Sequence, residues 1–152
     1  MAFGTFSKLG KSQQKMYGPA GLLVCGYRAA EQAQLQNLLK ELDLAELPLI
    51  FITKDQEEKT LEELLALPDG HGSGRDSELR RAVIMSGFRE GDLQRFMIAH
   101  RQSELPPQMW ATLTPISEKW QLKNLLAELE AENRALQKRR QEQARQNNGK
   151  PQ

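Results

Sequence analysis

Four short apolar runs stand out along the chain: GLLVCGY (21–27), LPLIFIT (47–53), RAVIMSG (81–87) and MWATLTP (109–115). The first three are nearly continuous in apolar character, which predicts strands buried on both faces of a parallel sheet. The fourth alternates, with Met109, Ala111 and Leu113 on one side and Trp110, Thr112 and Thr114 on the other. It reads as an edge strand. Between the runs, Leu35, Leu38, Leu39 and Leu42 follow the i, i+3, i+4, i+7 spacing of a helix, as do Leu93, Phe96, Met97 and His100. Leu61, Leu64 and Leu65 predict a shorter helix, with Thr60 and Glu63 spaced as a capping box. Leu122, Leu125, Leu126 and Leu129 predict a last one, for which Ser117 is a candidate cap. Strands alternating with helices place the chain in the α/β class.

The pattern repeats. Residues 23–67 align without a gap on 84–128, pairing Gly26 with Gly87, Arg28 with Arg89 and Leu44 with Leu105. The same alignment pairs Thr53 with Thr114, Glu57 with Glu118, and Leu61, Leu64, Leu65 and Ala66 with Leu122, Leu125, Leu126 and Ala127. This predicts two duplicated βαβα halves joined by the linker 68–78, PDGHGSGRDSE, all within one domain over 20–130. A flexible segment (1–19) precedes that domain, and a fraying basic helical tail (131–152) follows it.

Right-handed crossovers within each half predict a three-layer, Rossmann-like domain on a small four-stranded parallel sheet of order 2-1-3-4. A C-terminal helix completes it. In that arrangement CGYR (25–28) and SGFR (86–89) face each other at the switch point, where open α/β sheets bind ligands. Gly26, Tyr27, Arg28, Ser86, Gly87, Phe88, Arg89, Thr53 and Thr114 are then the expected ligand-binding residues. Amide N–H groups at two helix starts, with an arginine beside each, suit a small anionic ligand.

The blocks LLVCGY, RAVIMSG and WATLTPISEKWQLKNLLAEL resemble an uncharacterised bacterial family, domain of unknown function 3783. The resemblance spans residues 21–130 and is strongest over WATLTP and the leucine-rich helix. It implies a bacterial, cytoplasmic protein, and it carries no activity, cofactor or catalytic residue with it.

Composition narrows the function classes. A chain of 152 residues with 39% apolar content can bury the core of one domain. It has no apolar run near the roughly 20 residues that span a bilayer, and its N-terminus lacks the apolar core of a secretory signal. Cys25 is the only cysteine, which excludes an internal disulfide and fits a reducing cytoplasm. Cys25 and Ser86 occupy equivalent positions, so a small residue for packing explains both better than a nucleophile does. His100 sits on an apolar helix face and reads as a core residue. His71 stands far from it in the linker, which lacks the Lys-Ser/Thr of a phosphate loop. No metal site, cofactor site, paired carboxylates or triad is visible in the sequence.

The net charge of +1 hides an asymmetry, since residues 133–152 carry six basic side chains against one acidic, and the rest of the chain is net −4. Arg134, Lys138, Arg139, Arg140 and Arg145 make RNA or the ribosome an alternative partner. The favoured expectation is a non-enzymatic binding or interaction module. It would take a small anionic ligand at the crevice or a protein at the tryptophan-bearing edge. An enzyme of unrecognised class is the other alternative.

Overall fold

The computed structural model describes residues 14–149. Strands β1 (Gly21–Cys25), β2 (Leu49–Ile52), β3 (Ala82–Ser86) and β4 (Met109–Thr112) form one sheet in the order β2-β1-β3-β4. Helices α1 (Ala29–Glu41), α2 (Leu61–Leu65), α3 (Glu90–Gln102) and α4 (Leu122–Gly149) complete the chain, with short 3₁₀ turns at Lys54–Gln56 and Ser117–Lys119. The α/β class, the strand order and the C-terminal helix are as the sequence predicts. The capping box of α2 is also present: the Thr60 N–H donates to Glu63 Oε1 at 2.9 Å and the Glu63 N–H to Thr60 Oγ1 at 3.3 Å.

The sheet is mixed, not parallel. β1–β2 and β3–β4 are parallel, but β1 and β3 pair antiparallel, with Gly21 opposite Ser86 and Cys25 opposite Ala82. The crossover rule behind the all-parallel expectation governs only the β-helix-β unit inside each half. Between the halves, the segment 68–81 decides the direction. It passes along the outer side of β2, where the Gly70 N–H donates to Leu49 O (2.7 Å) and the Phe51 N–H to His71 O (2.8 Å). It then reaches the C-terminal end of β1, where the Ser77 N–H donates to Tyr27 O at 3.0 Å. A strand that starts there beside β1 must run back against it.

One offset relates the halves throughout. Leu22 pairs with Leu49 and, 61 positions on, Val83 pairs with Trp110. The central register turns on Leu23 opposite Ile84, themselves 61 apart, so a pseudo-twofold axis runs perpendicular to the sheet through that pair. On this axis Thr60 bridges Gln121. The Leu61 N–H donates to Trp120 O (3.0 Å) and the Leu122 N–H to Lys59 O (2.9 Å), a reciprocal exchange between equivalent residues.

Such an axis puts like helices on like faces. Leu35 and Leu39 of α1 and Phe96 of α3 cover Leu22, Val24, Phe51, Val83 and Met85 on one face. Leu61 and Leu64 of α2 and Leu122, Leu125 and Leu126 of α4 cover Leu23, Cys25, Ile50, Ile52 and Ile84 on the other. The five residues of α2 are too few to cover a face alone, and its pairing with α4 supplies the rest. Residues 14–19, expected to be mobile, instead pack on the second half: Lys15 bridges Arg89, and the Met16 N–H donates to Phe88 O at 2.7 Å. Residues 1–13 of that predicted segment lie outside the described residues.

Candidate functional site

The antiparallel central pair separates the two Gly-aromatic-Arg turns. Gly26 lies at the end of the sheet where β3 starts, and Gly87 at the end where β1 starts. No shared crevice exists between them. Each turn is instead crossed by the segment that enters the other half. An added Cβ at Gly26 would lie 2.6 Å from Leu79 O and 2.8 Å from Arg81 N; at Gly87 it would lie 2.5 Å from Gly18 O and 2.7 Å from Ala20 N. Gly18 and Leu79, and Ala20 and Arg81, are again 61 apart. Both glycines also have positive φ, +79° and +66°. The repeated motif is thus the turn that lets one half pass under the other.

The helix starts expected to receive an anion are occupied by the protein itself. At the first, the Gly26 N–H donates to Ser77 Oγ (3.0 Å), the Arg28 N–H to Glu31 Oε1 (2.9 Å) and the Ala29 N–H to Asp76 Oδ1 (2.8 Å). At the second, the Gly87 N–H donates to Tyr17 O (3.0 Å) and the Glu90 N–H to Gln14 O (3.2 Å). Arg28 and Arg89 are exposed, as expected, while Tyr27, Phe88, Ser86 and Thr53 are buried. Of the predicted residues, Gly87, Phe88 and Arg89 line one hollow of about 470 Å³, beside Lys15 and the carboxylates of Asp43, Glu46 and Asp92. The Thr53 hydroxyl bonds Asp55. Thr114 is exposed and pairs with Ser117 in the turn before α4. Ser117 therefore closes that turn, and α4 begins only at Leu122.

The two edges of the sheet differ. At β2, outward-facing Leu49 and Phe51 are paired by the segment 68–78, which the sequence shows only as a linker. Besides the backbone bonds to Gly70 and His71, the Leu49 N–H donates to Asp69 Oδ1 at 2.8 Å. At β4, the Met109 N–H donates to Arg81 O (3.0 Å) and the Leu113 N–H to Met85 O (2.9 Å), so alternation turns Trp110 and Thr112 outward. Their backbone groups have no hydrogen-bond partner among the described residues. Trp110 and Thr112 are the counterparts of Leu49 and Phe51.

Side chains rim this open edge on both faces. On the face of α4, a groove of about 440 Å³ is lined by Arg81, Gln108 and Met109 below and Leu129, Asn133 and Leu136 of α4 above. On the face of α3, a hollow of about 240 Å³ is lined by Met97, His100, Leu105, Gln108 and Trp110. Arg81 is fixed by Glu31 (2.9 Å), by the Gly26 carbonyl (3.3 Å) and by lying 3.9 Å from the centroid of the Tyr27 ring. Burial alone would raise the Glu31 carboxyl pKa; the Arg28 N–H and the Arg81 guanidinium hold it below the usual range. The Tyr27 hydroxyl donates to Gln108 Oε1 at 2.5 Å, and burial pushes its pKa up to about 12.

His100 is buried and stacks edge-on to Trp110, with ring centroids 5.2 Å apart. Burial lowers its pKa, as does the Arg81 charge, against an opposing hydrogen bond to Pro106. Its Nε2 and the Gln108 Nε2 are buried without partners, so the core histidine expected from the sequence has a ring only partly satisfied.

Residues 81–136 match a family model described as a domain of unknown function (DUF3783). The matched stretch runs from Arg81 through β4 to Leu136 and so contains most of the groove described above. Neither a curated protein nor a solved structure gives a match to the chain.

The remaining candidates do not gather into a site. Cys25 is buried, and desolvation raises its thiol to about 12. His71 Nε2 lies 2.7 Å from Gln56 Nε2 under the β2 cover. Among the described residues, no three His, Cys, Asp or Glu side chains are placed to hold a metal, and no helix is long and apolar enough to cross a membrane. Arg134, Lys138, Arg139, Arg140 and Arg145 are all exposed on α4, with Arg134 bonded to Glu130 at 2.8 Å.

Proposed function

We propose that this chain is a non-enzymatic interaction module that takes an extended backbone onto the outer edge of β4. One observation carries the reading. The halves follow one offset, yet the outward groups of Leu49 and Phe51 are covered while those of Trp110 and Thr112 are bare. Sheet edges are normally blunted or covered because an open edge templates pairing with another chain. Added strands gain affinity from main-chain bonds and specificity from pockets on alternate sides, and β4 has the groove on one side and the hollow on the other. The near-equivalence of the halves supports a duplication after which the two edges diverged. The single buried thiol fits a reducing, cytoplasmic setting.

The test uses Thr112→Pro. The Thr112 N–H faces outward, so proline there removes an edge donor without removing a β3–β4 bond, and edge strands tolerate it. Peptides selected from a random library on the immobilised chain are titrated by fluorescence anisotropy against wild type and variant. The expected result is peptides that lose roughly tenfold or more in affinity, as loss of main-chain bonds implies. Selected peptides that bind Thr112→Pro as tightly as wild type reject the edge as the surface.

A further inference from the structure

We propose that the occupant of the β4 edge is a second copy of this chain, joined by antiparallel β4–β4 pairing and by the two α4 helices. The inference rests on the edge reading above and adds the identity of the partner.

The second observation lies on α4. Leu129 and Leu136 are seven residues apart, so they share one stripe of the helix. The stripe faces the groove, and Leu136 is 45% exposed. Between Glu128 and Arg140 the charges along α4 are segregated: Glu128, Glu130 and Glu132 precede Arg134, Lys138, Arg139 and Arg140. Glu128 and Arg139 are eleven residues apart, about three turns, and therefore flank the stripe on the same side. Both are exposed, and neither has an ion-pair partner among the described residues.

Such a pattern is self-complementary only antiparallel. An alignment that sets Leu129 against Leu136 of the second copy also sets Glu128 beside Arg139 of the second copy, and the reverse. A parallel alignment would stack acid on acid and base on base.

The edge demands the same symmetry. Antiparallel pairing about Ala111 lets Trp110 exchange both backbone bonds with Thr112 of the second copy. The operator is a twofold axis perpendicular to the sheet, the relation that already joins β1 to β3 inside the chain. It keeps both α4 helices on one face, antiparallel to each other. Strand edge and helix charge pattern thus point to one arrangement.

The experiment is sedimentation equilibrium of the full chain across the micromolar range. The expected species at the upper end has twice the 17.3 kDa mass of the chain. Thr112→Pro and Arg139→Glu should each weaken the dimer roughly tenfold, and Glu128→Lys combined with Arg139→Glu should restore it, since reversal of both partners re-forms the pairs. If Thr112→Pro fails to fold by circular dichroism, the charge swap on exposed α4 decides alone. A monomer at every concentration overturns the second copy as partner, as does a dimer indifferent to Arg139→Glu or not restored by the double swap. A monomer whose selected peptides still depend on Thr112 overturns only this inference; a monomer without such peptides sinks the edge reading with it.

Discussion

Replacing Gly87 with Ala tests whether the two halves interlock at their turns. The position carries two separable costs. Its φ of +66° lies in the left-handed region, where a side chain costs about 1–2 kcal/mol. The added Cβ would also sit 2.5 Å from Gly18 O and 2.8 Å from Pro19 C, both backbone atoms of the crossing segment. Relieving that overlap means shifting residues 18–20 away from the turn, and overpacking of this kind costs about 1–3 kcal/mol more. The sum, about 2–5 kcal/mol, is a large part of the roughly 5–15 kcal/mol that holds a domain together.

Gly74 isolates the first cost. Its φ is +85°, but an added Cβ there meets nothing within 4 Å. Urea unfolding followed by circular dichroism should therefore show Gly74→Ala losing only about 1–2 kcal/mol and Gly87→Ala clearly more. Gly26→Ala should match Gly87→Ala, because its Cβ meets Leu79 O and Arg81 N at 2.6 and 2.8 Å. Equal losses at Gly74 and Gly87 would refute the close crossing as the reason for the repeated motif.

Three further outcomes follow from the same geometry. Cys25 should resist thiol reagents in the native protein at neutral pH, because burial holds the thiol protonated with a pKa of about 12; rapid labelling by a colorimetric disulfide without unfolding would contradict this. The folded state binds a proton at His100 less readily than the unfolded one, so stability should decline as pH falls below about 6.5. That decline precedes the one expected below about 4.5, where Glu31 and Glu63, with pKa values lowered in the fold, take up protons; His100→Gln should remove only the earlier step in thermal melts. Truncation after Glu132 should leave the melting temperature of dilute protein within about 2 °C, since the side chains of residues 132–147 are exposed, while abolishing any rise of melting temperature with concentration.

Much of the fold was legible because strand burial and helix periodicity leave different spacings, and all four strands fall within the predicted runs. The direction of β3 was not legible. It depends on where 68–81 delivers the chain, and bonds such as Ser77 to Tyr27 and Ile52 are long-range contacts with no local signature. The shared crevice expected between the two turns is absent for the same reason. Gly26 and Gly87 are tight turns that a crossing segment approaches closely, a long-range contact that leaves no local mark in the sequence. Trp110 was rightly placed on an edge strand, whereas Arg81 and Gln108 gave no signal beyond being polar residues beside an apolar run.

The difference between the two edges has a compact origin in the sequence. At the common offset, residues 68–76 correspond to 129–137: PDGHGSGRD in one half, LEAENRALQ in the other. Gly70, Gly72 and Gly74 all adopt positive φ, and the added Cβ of Gly72 would lie 2.0 Å from Phe51 O, so these glycines let the chain fold tightly onto β2. Their counterparts are Ala131, Asn133 and Ala135. With alanine at two of the three positions and no proline in the segment, nothing breaks the helix, and α4 continues outward over β4. The same substitution that keeps the segment helical also removes the cover from Trp110 and Thr112 and sets Leu129, Asn133 and Leu136 above them as a wall. Opening the edge and building the groove are therefore one structural event. A segment that folded back to protect β4 could not at the same time present the Leu129–Leu136 stripe, so the exposed strand and the exposed helix face are available to a partner together or not at all.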